Sequence, residues 1–377
     1  MAGIYLHIPF CKTRCIYCDF YSTTRSEQAT AYVEALCKEL RLRRDYLQGE
    51  PIRTVYFGGG TPSQLTRPHF EQIFQTLQEE YDLSGCEEIT LEANPDDLTE
   101  EYAAMLTDLP FNRLSMGIQT FHEDTLRLLK RRHTACQALD AVTRARAHGF
   151  QNISIDLIYG LPGETDQRWE SDLSQAISLG VEHISAYHLI YEEGTPLYQL
   201  REEHRVEEVD EDSSLKWFTQ LMDRLGEAGY EHYEISNFCR PGYASRHNAS
   251  YWQGIPYLGC GPSAHSYNRQ SREWNVASLT HYMKALQQGQ RDFEQEELDL
   301  TTRYNEFIMT SLRTSQGIYL PKLYTDFGKE LADYCQKLAF PYLQQDKLKI
   351  ENQFLKLTRK GLFISDSIMS DLMKISE

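Results

Sequence analysis

Three cysteines stand close together near the start of the chain, in Cys11-Lys-Thr-Arg-Cys15-Ile-Tyr-Cys18. Thiolates at this C-x3-C-x2-C spacing on one loop can each take one iron of a four-iron cluster. Such clusters usually take four cysteines, and the next one in sequence, Cys37, falls on an apolar helical face. A set of three leaves one iron open to a ligand from outside the protein, and a metal needs an open position to act on a substrate. Two plainer readings stand beside this one. A zinc site generally takes two ligand pairs, and no second pair follows; the other reading is unrelated buried cysteines. His7, just before the cysteines, is a possible fourth ligand, though its place two residues ahead of Pro9 suits a structural role.

Other chemistry-bearing residues follow in order. Gly58-Gly59-Gly60-Thr61-Pro62 is, by itself, a turn. Glu92 closes an apolar run in Ile89-Thr-Leu-Glu-Ala-Asn-Pro95, where a carboxylate can accept hydrogen bonds from hydroxyl or amino groups. His247-Asn248-Ala249-Ser250-Tyr251 lies in a segment dense in aromatic rings, with Trp252, Tyr257 and Tyr267 close by. Imidazole can ligate a metal, and flat rings can line a flat ligand. The bland alternative is a satisfied histidine in a turn after Pro241-Gly242.

These residues need elements to hold them. Apolar, β-rich runs predict strands over 4–8, 54–57, 88–93, 113–118, 153–158 and 183–190. Amphipathic helices are expected between them: one carrying Val33, Leu36, Cys37 and Leu40 on a face, the others near 67–80, 100–107, 135–148 and 168–179. Six β–α units in series imply a parallel sheet, because parallel strands need crossover helices. Six are too few for a closed eight-stranded barrel; they fit an α/β fold that is either an open, partial (β/α)6 barrel or a doubly wound sheet. Gly, Pro and Asn gather just after the strands, at the end where parallel α/β folds bind ligands. A helix over 213–225 should bury Leu215, Phe218, Met222 and Leu225. From about residue 279 the chain reads as helical, with a two-stranded wing at 347–357 and a helix at 358–364. The expected divisions are a barrel over 1–230, an aromatic and Gly-rich segment over 231–278, and a mainly helical, winged domain over 279–377.

Composition narrows the class of protein. The net charge of −17 over 377 residues disfavours binding to phosphate backbones. Acidic residues concentrate at 202–212 and 294–299, as solvated surface or as a docking face for a basic partner. The nine cysteines are odd in number and only three cluster, residues 1–8 lack the features of a signal peptide, and no apolar run reaches the ~18 residues of a membrane span. A reducing cytoplasm is expected, with metal or redox chemistry at the cysteines rather than disulfides.

The run from Tyr5-Leu-His-Ile-Pro-Phe-Cys11 to Cys18-Asp-Phe20 resembles the signature of the radical S-adenosylmethionine (SAM) superfamily, in the HemN/HemW branch of coproporphyrinogen dehydrogenases and heme chaperones. Motifs from Tyr5 to Ser365 follow in order, so the resemblance spans nearly the whole chain. It implies a 4Fe–4S cluster on Cys11, Cys15 and Cys18, with SAM chelating the open iron. It implies SAM contacts from Tyr5, Tyr17, Gly58, Gly59, Gly60, Thr61, Glu92, Gln119, Arg131 and Asp156, some of which serve a second SAM in the dehydrogenases. It implies heme binding through His247, Asn248 and Tyr251. The segments 309–318, 357–362 and 365–368 resemble the branch's shared C-terminal domain, expected here as a lid or docking surface. A DNA-binding wing is disfavoured by the acidity and the lack of a basic recognition helix.

Two departures separate the branches. Dehydrogenases carry a fourth cysteine two residues after the third, where this chain has Phe20, and a longer segment before the first strand. The resemblance therefore favours a heme chaperone serving acceptor hemoproteins such as membrane respiratory cytochromes, with coproporphyrinogen III dehydrogenase as the alternative.

Overall fold

The computed structural model describes residues 1–375. Six strands pair in chain order and in parallel: β1 (Ala2–Ile8), β2 (Ile52–Gly59), β3 (Glu88–Ala93), β4 (Arg113–Gln119), β5 (Ile153–Tyr159) and β6 (His183–His188). Each expected strand is present, within two residues at either end. The crossover helices include Ala29–Leu42, Arg67–Glu80, Glu100–Thr107, Ala135–Ala147 and Asp166–Ser178.

Alternation along these strands builds the site. Ile4, Leu6, Val55, Phe57, Leu91, Leu114, Met116, Ile155, Leu157 and Ile184 belong to the main core under the helices. The residues between them are polar or aromatic, and register aligns them: Tyr5 opposite Tyr56, Tyr56 opposite Thr90, Thr90 opposite Arg113. Farther along the sheet Ser154 meets His183 and Asp156 meets Ser185. Parallel sheets are normally apolar on both faces. A polar face at this position is the inner wall of an open barrel that can receive a polar ligand.

The sheet runs beyond the six strands on both sides. After them come β7 (Glu231–Glu234) and β8 (Asn237–Cys239), which extend it past β6. Past β1 it continues through β9 (Tyr257–Cys260), β10 (His265–Tyr267), β11 (Ser271–Asn275) and β12 (Phe293–Glu297). The result is an open twelve-stranded sheet in the order β12-β11-β10-β9-β1-β2-β3-β4-β5-β6-β8-β7. The aromatic segment therefore contributes five strands, β7 to β11, and the helix Arg246–Trp252. The helical reading from residue 279 also misses β12, whose Phe-Glu-Gln-Glu-Glu run has no apolar alternation. It is an exposed edge held by cross-strand pairing to β11, and its charges protect the open edge.

The helix Glu211–Glu227 buries Trp217, Phe218, Leu221 and Leu225, while Leu215 is exposed. The burying face is rotated from the expected one because Trp217 packs on the core and donates its indole N–H to Asp166. A second core, around Tyr304, Ile308, Leu312, Leu331, Cys335 and Ile368, joins the helices Leu300–Leu312, Leu320–Gln344 and Ser365–Leu372. A small sheet of β13 (Ile318–Tyr319), β14 (Leu348–Glu351) and β15 (Phe354–Leu357) sits beside it, and β14–β15 is the expected wing.

Candidate cluster and cofactor site

The cysteine loop leaves the C-terminal end of β1 and is clamped by its backbone. Cys11 N–H donates to Thr23 C=O at 2.9 Å, and Thr23 N–H returns to Pro9 C=O at 2.7 Å. At the middle of the loop, Ile16 N–H donates to Leu129 C=O, and Ile16 C=O accepts from Leu197 N–H at 2.9 Å. The Ile16 side chain anchors the loop in a small apolar cluster with Leu129, Ile158, Leu161, Leu189 and Leu197. The three thiols stay half-exposed and free. Thr61 Oγ1 donates to Cys11 Sγ at 3.3 Å, and Arg131 Nη1 donates to Cys15 Sγ at 3.3 Å. Burial pushes the Cys11 thiol up, and the Cys18 thiol up to about 11. A Cys11 thiol whose ionisation is disfavoured by burial, yet which has the Thr61 hydroxyl aimed at its sulfur, suits a bound cation that takes it as a thiolate. His7 is not a free fourth ligand: its Nε2 lies 2.9 Å from Tyr21 C=O, its Nδ1 3.2 Å from the Tyr5 hydroxyl, and burial lowers its pKa to about 4.

The glycine turn has a packing role that the residue types alone do not reveal. A Cβ on Gly59, whose φ is +104°, would stand 2.6 Å from His7 Nδ1. The space it leaves is filled by protein, and it lets the end of β2 press against β1 so that Thr61 reaches Cys11. Gly58 differs, since its missing Cβ faces the Tyr5 and Tyr56 rings and Glu92 on the inner wall.

Along that wall Glu92 accepts from the Tyr56 hydroxyl at 2.8 Å and from Gly59 N–H at 3.2 Å. Asp156 lies between the hydroxyls of Ser115 and Ser185, and burial raises its pKa. Arg131 Nη2 donates to Asn94 Oδ1 at 2.7 Å and to Gly117 C=O. Gln119 adopts φ +72°, a strained turn that the buried Asp172 holds through Thr120 Oγ1 at 2.6 Å and Phe121 N–H at 2.9 Å. Tyr17 stands in the loop between Cys15 and Cys18, with Arg131 and both of those cysteines around its hydroxyl. The expected SAM residues thus gather around the cysteine loop and the upper inner wall. Sequence reasoning passed over Tyr56, Arg113, His183 and Ser185 on that wall. The signal that finds them is the polar member of each strand's alternation.

Burial also pushes the Glu92 carboxyl up to about 7. In the unfolded chain it ionises near 4.3. Between those values the folded protein keeps a proton that the unfolded chain has lost, so stability falls as pH rises through this window and is level above it, by about 4 kcal/mol in all. Glu92→Gln should remove this loss. In denaturant titrations of the metal-free protein, the variant is expected to gain on the parent between pH 5 and pH 8; a constant difference contradicts the assignment.

The His247 motif lies at the other end of the wall. Its helix, Arg246–Trp252, is capped by Ser245 and by buried Glu88, which accepts from the N–H groups of Arg246 and His247, each at 2.9 Å. His247 is buried beside Gly3 and Thr54, near the N-terminal ends of β1 and β2. Its Nδ1 is 2.8 Å from Thr54 Oγ1 and its Nε2 2.8 Å from the Tyr251 hydroxyl, while its ring stacks on Tyr56 at 5.1 Å. Asn248 is half-buried and donates its backbone N–H to Ser245 Oγ. Both imidazole nitrogens are engaged inside the protein, and burial lowers the pKa to about 3. Ligation of an iron by Nε2 requires the Tyr251 hydroxyl to move aside.

An open barrel of six parallel strands, with a three-cysteine loop leaving its first strand, is the framework of a radical SAM protein. The Radical SAM superfamily profile matches residues 5–176 and the HemN C-terminal domain profile residues 298–364. The "Heme chaperone HemW" of Lactococcus lactis is 34% identical, the alignment covering 98% of this chain and 96% of that protein. That of Bacillus subtilis is 32% identical over 98% of each. Among solved structures, the coproporphyrinogen III oxidase HemN of Escherichia coli shares the fold at a TM-score of 0.85, with 22% identity over 99% of this chain and 90% of that one. The chain belongs to the HemW family.

Proposed function

We propose that this protein is a heme chaperone that carries a 4Fe–4S cluster on Cys11, Cys15 and Cys18, binds SAM beside it, and passes heme to acceptor hemoproteins, membrane respiratory cytochromes among them. The observation that carries the reading is Phe20, 64% exposed where a dehydrogenase has its further cysteine, in a chain whose relatives over their full length bear the name heme chaperone. Reduced, such a cluster supplies one electron to a bound sulfonium. The chain's own part is to hold and orient. Thr61 and Arg131 donate to two of the sulfurs, Glu92 offers a carboxylate to hydroxyl or amino groups of SAM, and Tyr5 presents its ring to the same space. His247, Asn248 and Tyr251 are the proposed heme residues. The C-terminal region that holds the second core, from Tyr304 to Leu372, is the proposed lid or docking surface. No helix among the described residues is long and apolar enough to cross a membrane.

Anaerobic reconstitution followed by heme titration tests the proposal. A saturable heme spectrum is expected from the cluster-loaded parent, weakened by at least about tenfold in His247→Ala if the histidine ligates. A parent that shows no saturation overturns the reading. The likeness to the HemN fold supports the alternative, coproporphyrinogen III dehydrogenase. That reading requires protoporphyrinogen and 5′-deoxyadenosine from coproporphyrinogen, SAM and a reductant, and absence of product from a cluster-loaded sample eliminates it.

A further inference from the structure

Asp97 lies on the short turn Pro95–Asp97 that follows β3, and it is only 6% exposed. Its carboxylate collects four donors from three loops. Oδ1 accepts from Lys12 Nζ at 2.9 Å and from Arg132 Nη2 at 3.0 Å. Oδ2 accepts from Ser63 Oγ at 2.9 Å and from Gln64 Nε2 at 2.6 Å. Two oxygens with about four lone-pair sites are thereby filled.

The neighbours of those donors are the groups that meet the cysteine sulfurs. Lys12 follows Cys11. Ser63 and Gln64 lie just past Thr61, which donates to Cys11 Sγ. Arg132 follows Arg131, which donates to Cys15 Sγ. One buried carboxylate thus sets the register of the cysteine loop, the glycine turn and the arginine segment.

We infer that Asp97 is a positioning residue of the cluster site: it holds in common register the three loops that supply the cysteines and the donors to their sulfurs. It touches no sulfur itself and acts through Lys12, Thr61 and Arg131. The inference rests on the cluster reading given under Proposed function. Asparagine in its place keeps the shape but turns one acceptor oxygen into an NH2 group facing two donors, either Lys12 with Arg132 or Ser63 with Gln64.

The test uses the full chain, reconstituted anaerobically, as parent, Asp97→Asn, Lys12→Met and the double variant. Three properties are measured: the rate of iron loss to a chelator, the low-temperature spin spectrum of the reduced cluster before and after addition of SAM, and the melting of the metal-free chain. Asp97→Asn is expected to lose iron about tenfold faster or more, in line with other outer partners of metal ligands, and to show an altered response to SAM. Lys12→Met should give part of that effect, and the double variant little beyond Asp97→Asn, because the two residues act as one unit. A parent-like rate and SAM response in Asp97→Asn, even with a lowered melting temperature, overturn the inference, as does full additivity in the double variant. Should Asp97→Asn not fold, Lys12→Met and Arg132→Met decide the matter, and parent-like iron loss in both overturns it. A parent that takes up no cluster condemns the cluster reading, a result separable from all of these.

Discussion

Cys15→Ser is expected to yield a folded protein that cannot keep its cluster. The parent, prepared anaerobically, should be brown and give a low-temperature spin signal on reduction; the variant should retain iron at least about 100-fold more weakly, beyond the range that outer partners command. Loss of SAM binding should accompany it, since the open iron is the proposed anchor for the amino and carboxylate groups. The fold should survive because the loop does not depend on the thiol. Its clamp is the pair of backbone hydrogen bonds at Ile16 together with the Ile16 side chain in its apolar cluster. Arg131 also keeps its bonds to Asn94 and Gly117 when the sulfur partner is gone. Far-ultraviolet dichroism and melting of the metal-free variant should match the parent. Cluster absorbance and spin signal that persist unchanged in the variant would falsify the assignment.

The second large effect concerns the sheet's extension. Glu39, on the first helix, is fully buried and binds three donors from beyond β8: Gly261 N–H at 2.8 Å, the Asn275 side-chain amide at 2.7 Å and the Tyr282 hydroxyl at 2.6 Å. Arg43 and Arg291 lie 3.7 and 3.5 Å from it, and both also reach Glu273 at 2.9 Å. Arg43 spends further bonds on Gly259 C=O and Ser266 Oγ, each at 2.9 Å. Glu39→Ala strands three buried donors and leaves two guanidinium groups to one carboxylate. Removing one member of such a buried network costs about 3–5 kcal/mol. With an unfolding entropy of about 2 cal/mol/K per residue, the melting temperature should fall by about 4–6 °C. Glu34→Ala, on the exposed side of the same helix, should leave it nearly unchanged. Equal melting of the two variants would show that the network contributes nothing net.

Glu39 also shows where sequence reading stops. Val33, Leu36, Cys37 and Leu40 mark the helix and its apolar face, and all four are buried as that pattern requires. Nothing local marks Glu39 as buried among them, because its partners lie more than 200 residues away. The same limit applies to β9, which pairs in parallel with β1 although the whole barrel intervenes in the chain. His247 is the clearest case. Its motif is plain in the sequence, but its position at the far end of the inner wall from the cysteine loop follows from Glu88 capping its helix and Thr54 meeting its ring.

Residue type and spacing along the chain determined the six β–α units, the three-thiol loop and the collection of polar groups at strand ends. Those signals are carried by periods of two to four residues and by turn chemistry, so each is complete within a short stretch. Tertiary structure alone decided that Gly59 makes room for His7, that Asp97 gathers three loops, that β12 forms the sheet's exposed edge and that His247 has both nitrogens engaged. Each of those facts depends on which groups from distant parts of the chain share a buried volume, and burial sets the cost of leaving a polar atom unpaired.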